Sequence, residues 1–183
     1  ELVLPCMPKV QAVAQDASVL VCSPLARPLS LLLAAKFRLP ACIVNLQPLS
    51  PTRDFPHYST GSAVEACLTS KADDANLETY YSLERFQHEF LEERLGSWYK
   101  ELEVPMISFE EDLLPILRGE CKDVLIANSF CHELVPRASD AGPNVHDVGP
   151  LADALVPEGW VPPEGLAAFL GACTTRPVCV GYG

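Results

Sequence analysis

The residues best suited to contact a substrate lie in one proline-rich segment, Gln47 to His57. Three of its eleven residues are proline, and it also contains Asp54, Phe55 and His57, so an acid, an aromatic ring and an imidazole are held in a loop of restricted shape. The segment follows an apolar run, and loops at the carboxyl ends of parallel strands line the ligand crevice of open α/β sheets. The pattern predicts a ligand-contacting loop, and a rigid surface turn with a solvated His57 explains it equally well.

The last residues of the sequence hold a second candidate for chemistry. Val178 to Val180 is an apolar run, and Gly181 and Gly183 follow it. A glycine turn at the end of a strand lets backbone N–H groups approach a phosphate closely. Many strands end in glycine, so the pattern alone does not decide between a phosphate site and an ordinary turn.

Several common catalytic motifs are absent from the sequence. It contains no G-x-G-x-x-G, G-x-x-x-x-G-K-[ST] or G-x-S-x-G element, which are the motifs of dinucleotide, P-loop and serine-hydrolase chemistry. The four histidines lack the H-E-x-x-H spacing of zincins. His146 and Asp147 are adjacent, and adjacent side chains of an extended segment point to opposite faces. The motifs therefore support neither dinucleotide nor P-loop chemistry, His146 and Asp147 are interpreted as structural, and no cofactor is expected.

The eight cysteines argue against a metal site. No two of them are spaced as C-x-x-C, the spacing typical of zinc sites and redox pairs. Cys22, Cys42 and Cys179 lie in apolar runs, where a thiol acts as a small buried hydrophobe. The sequence does not have the pattern of a secretory leader, so the expected compartment is the reducing cytosol.

The composition excludes other classes of protein. Thirteen lysines and arginines against 24 aspartates and glutamates give a formal net charge of −11, which argues against a nucleic-acid partner. With 183 residues, 49% of them apolar, the chain suffices for one domain with a core, or for one domain and part of another. The longest apolar run, Leu29 to Ala35, is far shorter than the roughly 20 residues that cross a bilayer.

Three apolar runs predict the strands that position the proline-rich loop. They lie at 19–22, 41–46 and 123–129. Continuous apolar runs of this length are typical of strands covered on both faces in a parallel sheet. A helix predicted between Pro28 and Pro40 makes the first two strands a right-handed βαβ unit, and a short helix over 112–117 precedes the third strand. The expected fold is therefore α/β, a parallel sheet with flanking helices.

A long amphipathic helix is predicted over residues 83–102. Its apolar residues recur every three or four positions: Leu83, Phe86, Phe90, Leu91, Leu95, Trp98, Tyr99 and Leu102. Helices that lie on membranes usually carry a basic polar face, whereas this polar face is acidic. Packing in the protein core is therefore favoured over contact with lipid.

Polar and proline-rich stretches mark the later part of the chain. Residues 135–149 predict a polar loop, and residues 157–163 are rich in proline, which suits a semi-rigid connector between domains. A short helix is predicted over 164–170, and Pro177 introduces a closing strand.

Several segments taken in order indicate a family. They follow the βαβ unit and are Pro51 to His57, Val135 to Pro143, Asp147 to Gly149, Trp160 to Pro163 and Val178 to Gly183. In this order they resemble the sterol 3-beta-glucosyltransferases, which are UDP-dependent glycosyltransferases of the GT-B fold. The resemblance runs from about Ser18 to the last residue.

The resemblance implies two Rossmann-like domains that face each other across a cleft, one for a lipid acceptor and one for UDP-glucose. Residues 1–149 would be the later part of the acceptor domain, 150–176 an interdomain linker with a short helix, and 177–183 the first strand of the donor domain. The implied reaction moves glucose from UDP-glucose, a co-substrate, to the hydroxyl of a sterol or similar lipophilic acceptor, with inversion. On this basis we expect a fragment that is inactive alone, cytoplasmic, with peripheral membrane contact.

The resemblance also implies roles for particular residues. The acceptor cleft would be bordered by Pro48, Asp54, Phe55, Pro56 and His57. The donor diphosphate would lie near Gly181 and Gly183. The catalytic base and most donor contacts of the family lie outside the matched segments, so the resemblance assigns no catalytic residue.

Two departures from the family pattern keep alternatives open. The family often has Thr-Met-Pro-Trp where this chain has Leu46 to Leu49, and it tends to have tryptophan where this chain has Ala141. One alternative is a homologue without catalysis that binds a lipid or a protein partner. The other is an enzyme of the same fold with a different lipophilic acceptor, such as a polyketide.

Overall fold

The structure is a computed structural model that describes residues 7–60, 71–130, 135, 137–149, 159 and 161–172. Its internal contacts divide the chain into two units, Glu1–Leu151 and Ala152–Gly183. In the second unit the described helix is Glu164–Ala172, which confirms the helix predicted there and extends it by two residues. The predicted closing strand lies outside the described residues.

Four strands form one all-parallel sheet in the first unit. They are β1 (Leu20–Cys22), β2 (Ala41–Asn45), β3 (Val124–Asn128) and β4 (Val145–Asp147). The strands lie side by side in chain order. Ala41 pairs with both Leu20 and Val124, while Asn128 pairs with both Asn45 and Asp147. The parallel sheet and flanking helices confirm the α/β expectation.

Helices connect and cover these strands. They are α1 (Met7–Gln15), α2 (Arg27–Phe37), α3 (Asp74–Glu101) and the short α4 (Leu114–Leu117), which a π-helical turn (Phe109–Leu113) precedes. Pro28 lies in the first turn of α2, and Arg38 ends that helix in the left-handed conformation, with φ 55°. Proline is tolerated there because a first-turn residue needs no backbone N–H partner.

Helix α3 begins nine residues earlier than the apolar pattern predicts. Asp73 has an extended backbone, and its carboxylate accepts a hydrogen bond from the Ala75 N–H at 2.9 Å. This N-cap satisfies one of the N–H groups that a helix start leaves unpaired. The start is thus defined by a polar cap, which the apolar spacing does not reveal.

The apolar stripe of α3 is only partly in the core. Near its carboxyl end, Leu95, Trp98 and Tyr99 are buried against α1 and α2. Phe86 and Phe90 are instead 66% and 51% exposed. The prediction that the whole stripe packs in the core is therefore wrong for these two phenylalanines, which lie on a turn of the helix that no described element covers.

Two apolar clusters meet at α2. One cluster lies between the sheet and the helical side chains that cover it, including Leu31 of α2 and Phe109. The other contains Leu32 and Leu33 of α2 together with α1 and α3. Because α2 buries residues on both sides, it is the central element between the sheet and the outer helices.

The opposite face of the sheet is less well covered than its apolar runs predict. Val21 of β1 is 66% exposed and Leu125 of β3 is 39% exposed, while Ile43 and Ile126 on the covered face are 1% and 3% exposed. The expectation of strands covered on both faces is therefore wrong at Val21 and Leu125.

A short strand, β4, lies inside the predicted polar loop 135–149. Its approach to the sheet depends on Gly142, because a Cβ there would lie 1.8 Å from the Arg118 carbonyl oxygen. Asn144 N–H donates to Gly119 O at 3.0 Å, and Ile126 N–H donates to Asn144 O at 2.8 Å. The polar composition of β4 concealed it, since His146 is exposed and its neighbours are only half-buried.

A buried ion pair joins the start of α2 to the middle of α3. The guanidinium of Arg27 makes a two-pronged contact with the carboxylate of Glu84, with Nη1 to Oε1 at 3.2 Å and Nη2 to Oε2 closer still. The two side chains are only 6% and 8% exposed. Each charge therefore depends on the other, because neither is solvated.

Cys22 and Cys42 test the prediction that cysteines in apolar runs are small packed side chains. Cys22 is buried and Cys42 is half-buried, and burial raises the pKa of both thiols. Their placement in strands agrees with the prediction of small packed side chains for these two; Cys179 lies outside the described residues.

Over the described stretches, the structure has no helix that is both long and apolar enough to cross a bilayer.

Candidate functional site

Three strands end in polar residues that lie side by side at the carboxyl edge of the sheet. Asn45, Asn128 and Asp147 are register partners across β2, β3 and β4. The Asn45 amide nitrogen donates to Asn128 Oδ1 at 3.1 Å, and the Asn128 amide nitrogen donates to Asp147 Oδ1 at 3.3 Å. We call these three residues the polar ladder. It lies at the edge where open α/β sheets bind ligands.

Ser50 attaches the proline-rich loop to the polar ladder. Its hydroxyl lies 3.3 Å from the Asn45 amide nitrogen and donates to Asn128 Oδ1 at 3.1 Å. Asn45, Ser50 and Asn128 are between 4% and 8% exposed. Because these buried groups bond to one another, their contribution is to hold the loop in one position.

Two aspartates tie this loop to the segment after β3. Asp54 accepts hydrogen bonds from the N–H and the hydroxyl of Ser139, at 2.5 and 2.9 Å. In return, Asp140 accepts from the Thr52 hydroxyl at 2.5 Å and from the Arg53 N–H at 2.9 Å. Each segment thus supplies a carboxylate to a hydroxyl and an N–H of the other. We call these four bonds the reciprocal clamp.

The structure places the predicted acceptor residues at different depths of the loop. Phe55 and His57 are buried, 3% and 2% exposed, while Pro48, Asp54 and Pro56 are half-buried. A solvated His57, one of the two interpretations of the sequence, is therefore wrong. The carboxylate of Asp54 is engaged by Ser139, a role that the sequence did not reveal.

His57 is held by bonds on both its backbone and its ring. Its N–H donates to the Thr79 hydroxyl at 2.7 Å, and its Nδ1 accepts from the Ser59 N–H at 3.1 Å. An N–H donor requires a lone pair at Nδ1, so the proton of the neutral ring is on Nε2. The ring also packs edge-on against Tyr80, with centroids 5.1 Å apart.

Burial favours the neutral form of His57. It lowers the pKa of this imidazole below its ordinary value of 6.5, and the nearby carboxylate of Glu84 offsets part of that effect. Since the folded protein binds this proton less readily than the unfolded chain, His57 does not reduce stability above about pH 6.5 and reduces it as the pH falls below that value.

The lowered pKa of His57 predicts how the stability of the His57→Asn variant depends on pH. Asparagine retains an acceptor for the Ser59 N–H but does not titrate. As the pH is lowered from about 6.5, protonation of His57 should reduce the free energy of unfolding of the original chain by at most about 1.4 kcal/mol per pH unit. The variant should lack this contribution. Urea unfolding at a series of pH values measures both.

Equal pH dependence in the original chain and in His57→Asn would contradict the assignment of this contribution to His57.

Exposed apolar side chains adjoin the polar ladder. Leu46 and Val148 each follow a ladder residue directly and are 63% and 52% exposed. Leu25, in the 3₁₀ turn after β1, is 94% exposed. These residues were missed as site candidates, because Leu46 was part of the predicted apolar run 41–46 and Val148 part of the predicted polar loop 135–149. Exposed apolar side chains therefore follow the carboxyl ends of β1, β2 and β4, at the edge of the sheet that carries the ladder.

Gly181 and Gly183, the predicted diphosphate contacts, lie outside the described residues. Among the residues that the structure describes, no three His, Cys, Asp or Glu side chains are grouped closely enough to hold a metal ion.

Comparison with known proteins adds no family assignment. The chain matches no protein-family model, and no curated protein matches it at a significant level. The fold and the carboxyl edge therefore define an α/β protein with a parallel sheet and an ordered loop at the edge where such sheets bind ligands.

Proposed function

We propose that this chain supplies the acceptor-binding, Rossmann-like part of a GT-B glycosyltransferase, which moves glucose from UDP-glucose to the hydroxyl of a sterol or similar lipophilic alcohol. The resemblance of its ordered segments to the sterol 3-beta-glucosyltransferases supports this function. The all-parallel sheet with flanking helices is compatible with such a domain.

The observation that carries the proposal is the exposure of apolar side chains at the carboxyl ends of three strands. Leu25, Leu46 and Val148 are exposed at the carboxyl edge, where a lipophilic ring system would cover them. Such burial stabilises a complex by roughly 25 cal/mol per Å² of apolar area. The reciprocal clamp already fixes the adjoining loop, which lowers the entropy cost of ordering it on binding.

In this proposal the chain binds and orients the acceptor. An inverting transfer needs a base that removes the hydroxyl proton, while the oxygen attacks the sugar from the side opposite UDP. His57 is not that base in its observed state, because Nδ1 already accepts from Ser59 and Nε2 carries the ring proton. No catalytic residue is assigned among the described residues, and the diphosphate contacts proposed for Gly181 and Gly183 rest on the resemblance alone.

Sterol binding tests the proposal. The fluorescent sterol dehydroergosterol should bind the chain saturably, and Leu46→Ser should weaken binding about fivefold to tenfold, because a polar side chain replaces apolar contact area. Fluorescence titration measures both dissociation constants. A transferase assay with UDP-glucose and sterol should show no product from this chain alone.

The control is Val13→Ser on α1, where valine is 73% exposed and belongs neither to the proline-rich loop nor to the carboxyl end of a strand. It should bind the sterol as the original chain does. An equal loss in both variants, or no saturable binding of the sterol, would refute the acceptor site. Binding of other lipophilic alcohols in preference to sterols would replace the proposed substrate by another acceptor.

A further inference from the structure

A cleft of about 310 Å³ lies between the proline-rich loop, α3 and the residues that follow α4. Its lining includes Arg53, Tyr81, Arg118, Glu120 and Asp140. None of the five loop residues proposed to contact the acceptor lines this cleft. Its chemistry can therefore be considered independently of the proposed glycosyltransferase function.

Tyr81 and Arg118 present hydrogen-bond donors in this cleft. Arg118 Nε donates to the Tyr81 hydroxyl at 2.9 Å, and the guanidinium carbon lies 5.3 Å from the centre of the tyrosine ring. Tyr81 is only 7% exposed. Across the described ranges, neither the hydroxyl proton of Tyr81 nor the terminal nitrogens of Arg118 have an acceptor. The nearly buried phenol of Tyr81 and the exposed guanidinium of Arg118 thus have donors that a ligand in the cavity could use.

Arg53 brings a second guanidinium to the cleft. Its Nε donates to Asp74 at 2.6 Å, and its Nη1 lies 3.6 Å from Asp140 Oδ2. These bonds fix the position of its charge. Because Asp74 and Asp140 already match the charge of Arg53, Arg118 is the guanidinium of the cleft that can pair with an anion.

Two carboxylates also line the cleft and affect it differently. Both oxygens of Asp140 already accept bonds from the proline-rich loop, at Thr52 and Arg53. Glu120 is exposed and forms no ion pair with any described residue. Its negative charge opposes an anion, so removing that charge should strengthen anion binding.

We infer that this cleft binds an oxyanion, the phosphate or carboxylate group of a small ligand, through the Tyr81 hydroxyl and the guanidinium of Arg118. The planar fork of arginine matches either group, and the phenol adds a donor with little motion to lose. The net charge of −11 gives no long-range attraction for an anion. Binding therefore rests on these short-range donors and should be of about millimolar strength for a simple ion.

Anion titration of the full chain tests this inference. Inorganic phosphate and malonate are the two probes, and NMR follows the amide signals of Asp140 and Gly142. At least one probe should saturate these signals, and the tighter probe identifies phosphate or carboxylate as the preferred group. Arg118→Gln should weaken binding about tenfold and Tyr81→Phe about fivefold, because each removes a donor to a charged group.

Two further variants should strengthen anion binding or leave it unchanged. Glu120→Gln should tighten binding about threefold, since it removes a repelling charge. Arg94→Gln is the matched control, because Arg94 lies on α3 over the ring of Phe90 and outside the cleft. Failure of both probes to saturate, equal losses for Arg94→Gln and Arg118→Gln, or weaker binding in Glu120→Gln would overturn the site. The NMR spectrum of each variant shows directly whether it is folded.

Discussion

Replacing Glu84 by glutamine is expected to lower the free energy of unfolding by about 3–5 kcal/mol, because it leaves a buried guanidinium without its counter-charge. Arg27 and Glu84 are 6% and 8% exposed, so water cannot replace the lost carboxylate. The Nε of Arg27 already has no acceptor among the described residues, which leaves little scope for another partner. Urea unfolding followed by circular dichroism measures the change.

The surface pair between Arg85 and Glu110 provides the control. Its side chains are 44% and 63% exposed, and exposed pairs contribute about 0.2–1 kcal/mol. Glu110→Gln should therefore have a small effect. The double variant Arg27→Met with Glu84→Met should recover much of the loss, because it removes both buried charges. A loss no larger for Glu84→Gln than for Glu110→Gln would show that the buried pair is not the source of stability.

Gly142→Ala is the second substitution with a large expected effect, a loss of about 3 kcal/mol of unfolding free energy. Its Cβ would lie 1.8 Å from Arg118 O and 2.9 Å from Arg118 C. Both are backbone atoms, so no side-chain rotation relieves the clash. The segment must move, and it carries Asp140 of the reciprocal clamp on one side and β4 on the other. Unfolding in urea reports the loss, and proteolysis near Ser139 should become faster.

Alanine in place of Gly96 should raise the free energy of unfolding, whereas alanine in place of Gly142 should lower it. Gly96 lies within α3, and a Cβ there would meet nothing within 4 Å. Alanine in place of a helical glycine restricts the unfolded chain and stabilises by about 0.5–1 kcal/mol. If the two glycine variants were to shift stability in the same direction, close backbone packing at Gly142 would be excluded as the cause.

The parts of the fold that the sequence predicts are those with strong local patterns. The runs at 19–22, 41–46 and 123–129 became β1, β2 and β3 within a residue or two, while Pro28 lies in the first turn of α2 and Pro40 follows its end. Continuous apolar runs and proline each act on their own segment, so their effect needs no knowledge of the tertiary structure.

The missed elements lack such patterns. The strand β4 has three residues, of which His146 is exposed, so hydrogen bonds to its neighbour define it rather than hydrophobic alternation. The position of Phe86 and Phe90 on the outside of α3 depends on which neighbours are present. Periodicity predicts an apolar face but not how much of that face is covered.

The candidate site also has one part that the sequence predicts and another that it does not. The proline-rich loop was predicted at the carboxyl end of β2 and lies there. The reciprocal clamp joins residues that are 85 to 88 positions apart in the chain, such as Asp54 and Ser139, so no local pattern reveals it. Asn45 and Asn128 are each the second-last residue of an apolar run, and a comparison of those positions would have suggested the polar ladder.

The order of the strands has a consequence for how the chain folds. Pairing of Leu20 with Ala41, and of Ile126 with Val145, closes loops of only about 20 residues. Pairing of Ala41 with Val124 closes a loop about four times longer, which adds only about 1 kcal/mol of closure entropy but slows the search. Folding of the sheet should therefore proceed from two locally assembled halves, and their union across α3 is its slowest step.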